Sequence, residues 1–340
     1  MGKIIRIGTR ESQLAVWQAE QVKKLLAEKS VDAELVYIKS EGDVDTVTPL
    51  YALGVIGVFT KTLDAALLDN RIDIAVHSMK DVPVQLAQGI KQAAVLKRGS
   101  HKDILVLHPG LSDRNTPFTI EHGSITIEGS KKKDSSWTLP LREHPGKPGE
   151  LEDVVIATSS IRRIAQWLNR YPQHKIETLR GNVNTRLRKL KESIWHGAIF
   201  AAAGLERINL RPENSIDLDW MLPAPAQGAI MVVCREDDAF ALESCQSFNH
   251  EETSLCTKIE RDFLSALMGG CSTPISALAE VKKGEVHFKG NIVSPGGIGV
   301  ADIGVRLPLA DSSNIGFIAA EKILSNGGQE IIDRIRNAAK

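Results

Sequence analysis

An acid and a cysteine are the two side chains of this sequence best placed for chemistry. Asp81 lies in the loop His77-Ser78-Met79-Lys80-Asp81-Val82-Pro83, directly after a predicted strand. A carboxyl group in such a loop can be tuned for proton transfer. Cys271 lies in Gly269-Gly270-Cys271-Ser272-Thr273-Pro274, where two glycines and a turn leave a thiol open to covalent attachment. The two loops therefore predict a proton donor and an attachment site.

Both loops also have a simpler interpretation. Cys271 can be one of four small apolar cysteines, which contain no Cys-x-x-Cys pair and have no histidine pair at zinc spacing beside them, so no metal site is predicted. Asp81 and Lys80 can form a surface ion pair of little consequence. His77 alone is more often a buried structural histidine than a catalyst. The rest of the chain has to decide between these interpretations.

A basic stretch from Thr158 to Arg188 predicts an anion site. It holds seven basic side chains and one acid, Glu177, inside a chain whose formal net charge is zero. Thr158-Ser159-Ser160 and Gly181-Asn182 each open a predicted helix, and helix N-termini attract anions. Arginine forks bind carboxylates through two hydrogen bonds. The pattern favours a ligand with several carboxylates, although Arg170 and Arg188 are also explained as ordinary helix-surface charges.

Alternating strands and helices must position these residues. Predicted helices begin at Ser12, Thr60 and Ser160 and at Asn182 or Asn184, and the helix after Ser160 has an apolar face of Ile161, Ile164, Ala165 and Leu168. Short apolar segments between them predict strands at Ile4–Ile7, Glu34–Ile38, Ile72–Val76, Val154–Ala157, Ala198–Ala201 and Met231–Val233. This order predicts mostly parallel sheets covered by helices.

Two regions depart from that alternation. Residues 108 to 150 hold five prolines and five glycines, which predicts an irregular surface insertion with one hairpin around Ser124–Glu128. From about residue 250 the pattern is a helix at Thr253–Leu267, strands at Ala277–Val281 and Val286–Gly290, and a helix at Asn314–Ala339. This pattern predicts a compact α+β unit with Cys271 after its first helix.

Length and composition exclude several classes of protein. A chain of 340 residues is suited to two or three domains. Zero net charge and 5% aromatic residues argue against a nucleic-acid binder. We find no stretch of signal-peptide or membrane-spanning length, and few cysteines suit a reducing compartment. We therefore expect a cytoplasmic protein that binds neither nucleic acid nor membrane. We also expect a monomer, although composition does not indicate the oligomeric state.

Seven motifs together resemble the porphobilinogen deaminase family, also called hydroxymethylbilane synthase. They occur in the family's order along the chain, outside the insertion at 108–150, and their combination is far more specific than any one of them. The motifs are Gly8-Thr9-Arg10-x-Ser12-x-Leu14-Ala15, Asp73 to Pro83, Thr158 to Arg163, Leu179-Arg180-Gly181-Asn182-Val183-x-Thr185-Arg186-Leu187, Ala203-Gly204-Leu205-x-Arg207, Gln227-Gly228-Ala229 and Gly269-Gly270-Cys271.

The resemblance implies an α/β fold of three domains. Two are lobes like those of type-2 periplasmic binding proteins, with mostly parallel five-stranded sheets, and the third is a small C-terminal α+β domain. We place the first lobe at residues 1–104 plus 228–246, and the second at 105–222 with the irregular insertion at about 108–150. The third domain, with the cofactor cysteine, is placed at 250–340.

The resemblance also implies a reaction and a cofactor. The family joins four porphobilinogen molecules head to tail with loss of ammonia, on a dipyrromethane primer that a thioether attaches to a cysteine, and water then releases hydroxymethylbilane. Cys271 matches that cysteine, and Asp81 matches the acid that protonates the leaving amine and stabilises cationic intermediates. The implied cofactor-binding residues are Cys271, Lys80, Asp81, Thr158, Ser159, Ser160, Arg162, Arg163, Arg180, Gly181, Arg186, Gln227 and Gly228. The implied substrate-binding residues are Arg10, Ser12, Gln18, Arg163, Arg186 and Arg207.

Two departures and one alternative remain. The family commonly has a lysine in a Gly-Gly-Lys-Gly loop, where this chain has Gly54-Val55-Ile56-Gly57, and Lys61 can replace that charge only in part. The insertion at 108–150 has no assigned role. The alternative function is a two-lobed binding protein for a polycarboxylate, which accounts for the alternation and the anion site but gives no reason for Cys271 or Asp81.

Overall fold

The computed structural model describes residues 3–39, 60–110, 118–121, 124–127, 154–267 and 273–338. The loop at 54–57 and the attachment residue Cys271 lie outside these ranges, as does most of the insertion at 108–150. Three sheets organise the rest of the chain, and the site residues are found where the sheets and their helices meet.

The first sheet has five strands in the order β2-β1-β3-β12-β4. They are β1 (Ile5–Thr9), β2 (Ala33–Tyr37), β3 (Ile74–Ser78), β4 (Ile90–Val95) and β12 (Ile230–Arg235). Two helices, α1 (Gln13–Ala27) and α2 (Lys61–Leu68), connect the first three strands. Successive side chains of β3 pack into different clusters, Ile74 with α1 and Ala75 with α2, because strand residues alternate between the two faces of a sheet.

The second sheet also has five strands, in the order β11-β5-β10-β8-β9. They are β5 (Asp103–Leu107), β8 (Val155–Ala157), β9 (Lys175–Glu177), β10 (Gly197–Ala201) and β11 (Ser215–Asp217). Its helices are α3 (Ile161–Arg170), α4 (Val183–Glu192) and α5 (Ala202–Glu206). The apolar side chains of α4, Val183, Leu187 and Leu190, pack with those of β10 as the sequence pattern predicts.

One strand in each of these sheets runs against the other four. β12 is antiparallel to β3 and β4, and β5 is antiparallel to β10 and β11, while the remaining pairs are parallel. The predicted α/β fold with mostly parallel five-stranded sheets is therefore confirmed. The reversed strands are the two on which the chain enters the second sheet and returns to the first.

A third, antiparallel sheet forms the C-terminal unit. Its strands are β13 (Ile275–Lys282), β14 (Glu285–Val293) and β15 (Val300–Pro308), covered by α7 (Glu251–Ala266), α8 (Ile315–Ile323) and α9 (Gln329–Ala338), while α6 (Ala239–Gln246) packs on the first sheet. The rings of Phe263 and Phe288 meet edge to face at 5.1 Å in its core. The single helix predicted for Asn314–Ala339 was wrong, because Gly327 at φ +90° breaks it into α8 and α9.

Helix α3 buries Ala165 as predicted, but most of its other buried residues are polar. Ile164 and Leu168 are only partly buried, whereas Arg162, Arg163 and Gln166 are buried with Trp167. Gln166 Nε2 donates to Leu222 O and to Ser276 Oγ, both at 2.9 Å. The polar side chains can be buried because every one of them finds a partner across the sheets.

The described part of the insertion is a two-stranded antiparallel hairpin, β6 (Phe118–Glu121) and β7 (Ser124–Ile127). It lies slightly earlier than the predicted hairpin around Ser124–Glu128. Within the described ranges, no helix is long and apolar enough to cross a membrane.

Candidate active site

The acid loop follows the middle strand of the first sheet. β3 ends at Ser78, and Met79–Asp81 form a single 3-10 turn. Met79 is buried and its backbone N–H donates to Ala229 O at 3.0 Å, which fixes the turn against the strand that returns from the second sheet. Asp81 itself is exposed. The turn therefore presents a carboxyl group to solvent from a rigid base.

Lys80 points the other way, into the protein. Its Nζ donates to Gln227 Oε1 at 3.3 Å. Burial lowers the pKa of Lys80 to about 8, with Arg163 and Arg162 acting in the same direction and the nearby carboxylates opposing them. The two side chains thus differ in exposure, because Lys80 is partly buried and Asp81 is exposed.

Asp103, at the start of β5, lies at the centre of the cationic cluster and is fully buried. Arg163 donates to Asp103 Oδ1 from Nε at 3.0 Å and from Nη2 at 2.7 Å. Arg162 Nη2 lies 2.7 Å from Oδ2, and Gln227 Nε2 donates to Oδ1 at 3.0 Å. Burial raises the pKa of Asp103, but Arg162, Arg163 and Lys80 outweigh it and hold the pKa at about 2. The carboxyl is therefore ionised and holds two arginines in place.

The two arginines of α3 differ in how many of their guanidinium nitrogens already donate hydrogen bonds to the protein. Arg163 also donates from Nη1 to Ile199 O at 2.9 Å, so all three of its nitrogens bond to protein. Arg162 donates from Nη1 to Leu222 O at 2.8 Å, while its buried Nε has no hydrogen-bond partner among the described residues. One donor of this pair is left for a ligand.

The residues that open α3 are held by local hydrogen bonds. Ser160 N donates to Thr158 Oγ1 at 3.3 Å. Leu179 N donates to Ser159 Oγ at 2.9 Å, which ties this loop to the segment that leads into Arg180. The two predicted helix starts, at 158–160 and at 180–182, are therefore neighbours in space.

Helix α4 starts beside them, with Asn182 as its cap, as the sequence predicts. Asn182 Oδ1 accepts from Thr185 N at 2.9 Å, and Gly181 has φ +110°, which favours glycine. Arg186 Nε donates to Gly181 O at 2.7 Å, and its terminal nitrogens have no hydrogen-bond partner within the described ranges. Burial lowers the pKa of Arg186 to about 10, helped by Arg163 and Arg180 and opposed by Asp81. Arg186 thus shares one electrostatic environment with the acid.

Three predicted substrate residues, Arg10, Ser12 and Gln18, lie in the turn after β1 and on α1. Gln18 Nε2 donates to Ser78 Oγ at 2.9 Å, next to the acid loop. Ser12 precedes α1 without a side-chain capping bond. Arg10 lies close enough to His77 to reinforce the effect of burial, which lowers the pKa of His77 to about 4. His77 is therefore neutral near pH 7.

Arg207 bonds to the crossover, the segment Pro223–Ala229 through which the chain returns from the second sheet to the first. Its Nη2 donates to Gly228 O at 2.6 Å, and its guanidinium lies 5.7 Å from the ring centroid of Trp17. Gly228 has φ +87°, and a Cβ there would lie 2.6 Å from Ser100 O. These contacts give Arg207 a structural role in the described chain, and its substrate contact stays a prediction.

The structure thus brings Lys80, Arg162, Arg163, Arg186 and Gln227 together. Arg10 and Ser12 lie in the turn between β1 and α1, and Gln18 lies on α1. Sequence reasoning missed Asp103. A signal was present, because two adjacent buried arginines require a countercharge and Asp103 opens the apolar run Ile104–Leu107.

Two family models match this chain. The one described as "Porphobilinogen deaminase, dipyromethane cofactor binding domain" matches residues 5–243, and the one described as "Porphobilinogen deaminase, C-terminal domain" matches residues 254–325. The two matches together extend over most of the 340 residues. The first match contains the two five-stranded sheets, and the second contains the antiparallel C-terminal sheet.

Solved structures of solute-binding proteins also align with the chain. The methionine binding protein MetQ has 14% identity and a TM-score of 0.38, covering 72% of this chain and 89% of its own. An arginine-specific periplasmic binding protein of Salmonella typhimurium has 10% identity and a TM-score of 0.37, and the alignment covers 74% of this chain and 94% of that protein. A structure from a study of glutathione import in Streptococcus mutans has 10% identity and a TM-score of 0.36, covering 73% and 87%. At these values the likeness carries no argument about function.

Proposed function

The chain belongs to the porphobilinogen deaminase family, and we propose that Asp81 is the acid and Cys271 the attachment residue of its reaction. The function is hydroxymethylbilane synthesis, a transferase reaction of tetrapyrrole biosynthesis with porphobilinogen as substrate and dipyrromethane as cofactor. The observation that carries the assignment to Asp81 is its position: an exposed carboxyl on a rigid turn, within the electrostatic reach of Arg186 and Lys80.

The described residues fit a cofactor that bears several carboxylates. The buried Nε of Arg162 has no partner within the described chain, and the terminal nitrogens of Arg186 are not bonded to described residues. A buried N–H without a partner is costly, and a ligand carboxylate removes that cost. We propose that the cofactor is held by the residues that the family pattern predicts, with Arg162, Arg186 and Lys80 as its main cations. The others are Thr158, Ser159, Ser160, Arg163, Arg180, Gly181, Gln227 and Gly228.

Each protein group then has a defined task. Dipyrromethane, when bound, supplies the pyrrole end to which the substrate units are joined. Cys271 Sγ holds it covalently, so the growing chain cannot diffuse away. Asp81 delivers a proton from its carboxyl to the amine nitrogen that leaves as ammonia, and its carboxylate then stabilises positive charge on the substrate. Lys80 and the arginines hold the carboxylates in place.

We further propose the domain division 1–104 plus 228–246, 105–222 and 250–340. It is supported by the membership of the three sheets, since β12 returns to the first sheet after β5 to β11 have formed the second. We also propose that the protein is a monomer and that it is cytoplasmic; the small number of cysteines in the sequence supports the second of these.

The assignment of Asp81 is tested by measuring ammonia release from porphobilinogen in the wild type and in Asp81→Asn. The amide is nearly isosteric but cannot deliver a proton, so we expect kcat to fall about 10²–10⁴-fold with little change in substrate binding. Asp69→Asn, at another exposed carboxyl, is the matched control and should keep wild-type kcat. A wild type that binds porphobilinogen without releasing ammonia would instead indicate a binding protein.

A further inference from the structure

One arginine of the C-terminal unit binds the backbone that follows Asp81. Arg261, on α7, is 9% exposed. Its Nη1 donates to Val82 O at 2.9 Å, and its Nη2 donates to Pro83 O at 2.6 Å and to Val84 O at 2.9 Å. A single guanidinium therefore holds three consecutive carbonyls.

Those carbonyls belong to a segment with few bonds of its own. Val82–Val84 lies after the 3-10 turn and before β4, outside any strand or helix. Pro83 has no N–H to donate. Among the described residues, Val82 N donates only to Met79 O, at 3.2 Å, the bond that closes the turn. Charge-assisted bonds from a planar, rigid donor are stronger than neutral ones and fix direction as well as distance. Arg261 thus sets the path of the chain immediately after the acid.

The neighbouring residue anchors the same helix. Glu260 is fully buried and accepts from Arg98 Nη1 at 2.6 Å, from Ala226 N at 2.6 Å and from Ala279 N at 2.8 Å. Helix α7 is therefore fixed to the crossover and to β13, so Arg261 reaches the acid loop from a rigid support. The same helix leads, along the chain, into the loop that carries Cys271.

We propose that Arg261 is a positioning residue for catalysis: by holding the backbone that follows Asp81, it places the Asp81 carboxyl for proton transfer. The inference rests on the proposed roles of Asp81 and Cys271. It differs from a purely structural role, in which Arg261 only fastens α7 to the first sheet and its loss lowers stability without changing the chemistry.

The first arm of the test compares Arg261→Gln and Arg261→Lys with Lys258→Gln. Lys258 lies on the same helix, is exposed, and pairs with Asp262. All variants are assayed as cofactor-loaded protein, with loading checked by intact mass, well below their unfolding temperatures. We expect Arg261→Gln to lower kcat about 10–100-fold at near-wild-type KM, since small displacements of a catalytic group cost rates of that size. Arg261→Lys should recover part of the loss, because an ammonium can still donate to the carbonyls, and Lys258→Gln should not change kcat.

The second arm is a double-mutant cycle with Asp81→Glu, whose longer side chain already misplaces the carboxyl. If Arg261 acts through Asp81, the loss in Asp81→Glu/Arg261→Gln is smaller than the product of the two single losses. Multiplicative losses, or a wild-type kcat in loaded Arg261→Gln, overturn the proposal. If Arg261→Gln does not fold, the same cycle is run with Arg261→Lys. A wild type that releases no ammonia overturns the proposed function and this inference together, whereas an active wild type with independent losses overturns the role of Arg261 alone.

Discussion

The two helices that carry arginines into the site present them in opposite ways. On α3, Arg163 uses every nitrogen on protein oxygens, two of them on the buried carboxylate of Asp103. On α4, Arg186 bonds to the described residues only through Nε, to Gly181 O, and it interacts electrostatically with the exposed Asp81. The α3 cations are assembled before any ligand arrives, and the α4 cation is available to one.

This difference separates two tasks that the sequence merges into one basic stretch. Arg163 and Asp103 form a buried pair that orders the site, and Arg162 shares that carboxylate while keeping one donor unbonded to described residues. Arg186 contributes charge to the ligand directly. Variants on the two helices should therefore differ in what they damage, with stability and cofactor loading affected on α3 and ligand affinity on α4.

The largest effect is expected for Asp103→Asn. Removing one partner of a buried ionic cluster leaves uncompensated charge, which typically costs about 3–5 kcal/mol of unfolding free energy. We expect that loss in urea unfolding, together with incomplete cofactor loading by intact mass. Asp217→Asn is the matched control, because Asp217 pairs with Lys102 and Arg211 at the surface and should cost about 1 kcal/mol or less. Equal losses in the two variants would contradict the comparison.

The stability that Asp103 contributes should also depend on pH. The pKa of Asp103 is held at about 2, below its ordinary 3.8, so its contribution to stability is full above about pH 4. It is lost as the pH falls through 2, because the folded state then takes up the proton as well. The difference in unfolding free energy between wild type and Asp103→Asn should be constant from pH 5 to 7 and shrink between pH 4 and 2. A difference that grows on acidification would have the wrong sign.

Arg163→Ala and Arg186→Ala should have smaller effects than Asp103→Asn, and they should differ from each other in which property changes. Arg163→Ala should lower the unfolding temperature and reduce cofactor loading. It removes three hydrogen bonds and one of the two arginines that pair with the buried Asp103. Arg186→Ala should unfold near the wild-type temperature and raise KM for porphobilinogen about tenfold, the loss expected for one charged hydrogen bond. Calorimetry and steady-state kinetics on both variants decide it. The distinction fails if Arg186→Ala is the less stable protein, or if its KM is unchanged.

Much of the fold was predictable because it depends on local patterns. The strand that precedes the acid loop, the capped start of α4 and the alternation of strands and helices follow from apolar periodicity and capping residues. Strands β4, β5, β9 and β11 were not predicted. The prediction failed where long-range partners decide. The buried face of α3 is polar because Asp103, Leu222 and Ser276 meet it from distant segments. Strand β15 was missed although its inward-facing residues, Ala301, Ile303, Val305 and Leu307, alternate regularly with exposed ones.

The site was predictable in its residue types but not in its division of labour. The arginine stretch, the acid and the cysteine are visible in sequence, whereas the organising carboxylate of Asp103 and the reach of Arg261 to Val82–Val84 join residues more than 50 positions apart. The spacing of apolar residues along the sequence does not indicate which distant residues pair in this way. Arg207, a cation predicted to meet substrate, also bonds to Gly228 O, a contact that the sequence did not indicate.

The mass of the intact protein tests the central claim most directly. Freshly purified wild type should be heavier than its sequence by one dipyrromethane, and Cys271→Ser should have the sequence mass, because a hydroxyl is a far poorer nucleophile than a thiolate. Cys256→Ser should keep the added mass, since burial raises the pKa of the Cys256 thiol to about 12 and keeps it unreactive. An active wild type with the unmodified mass, or an adduct that persists in Cys271→Ser, would contradict the account.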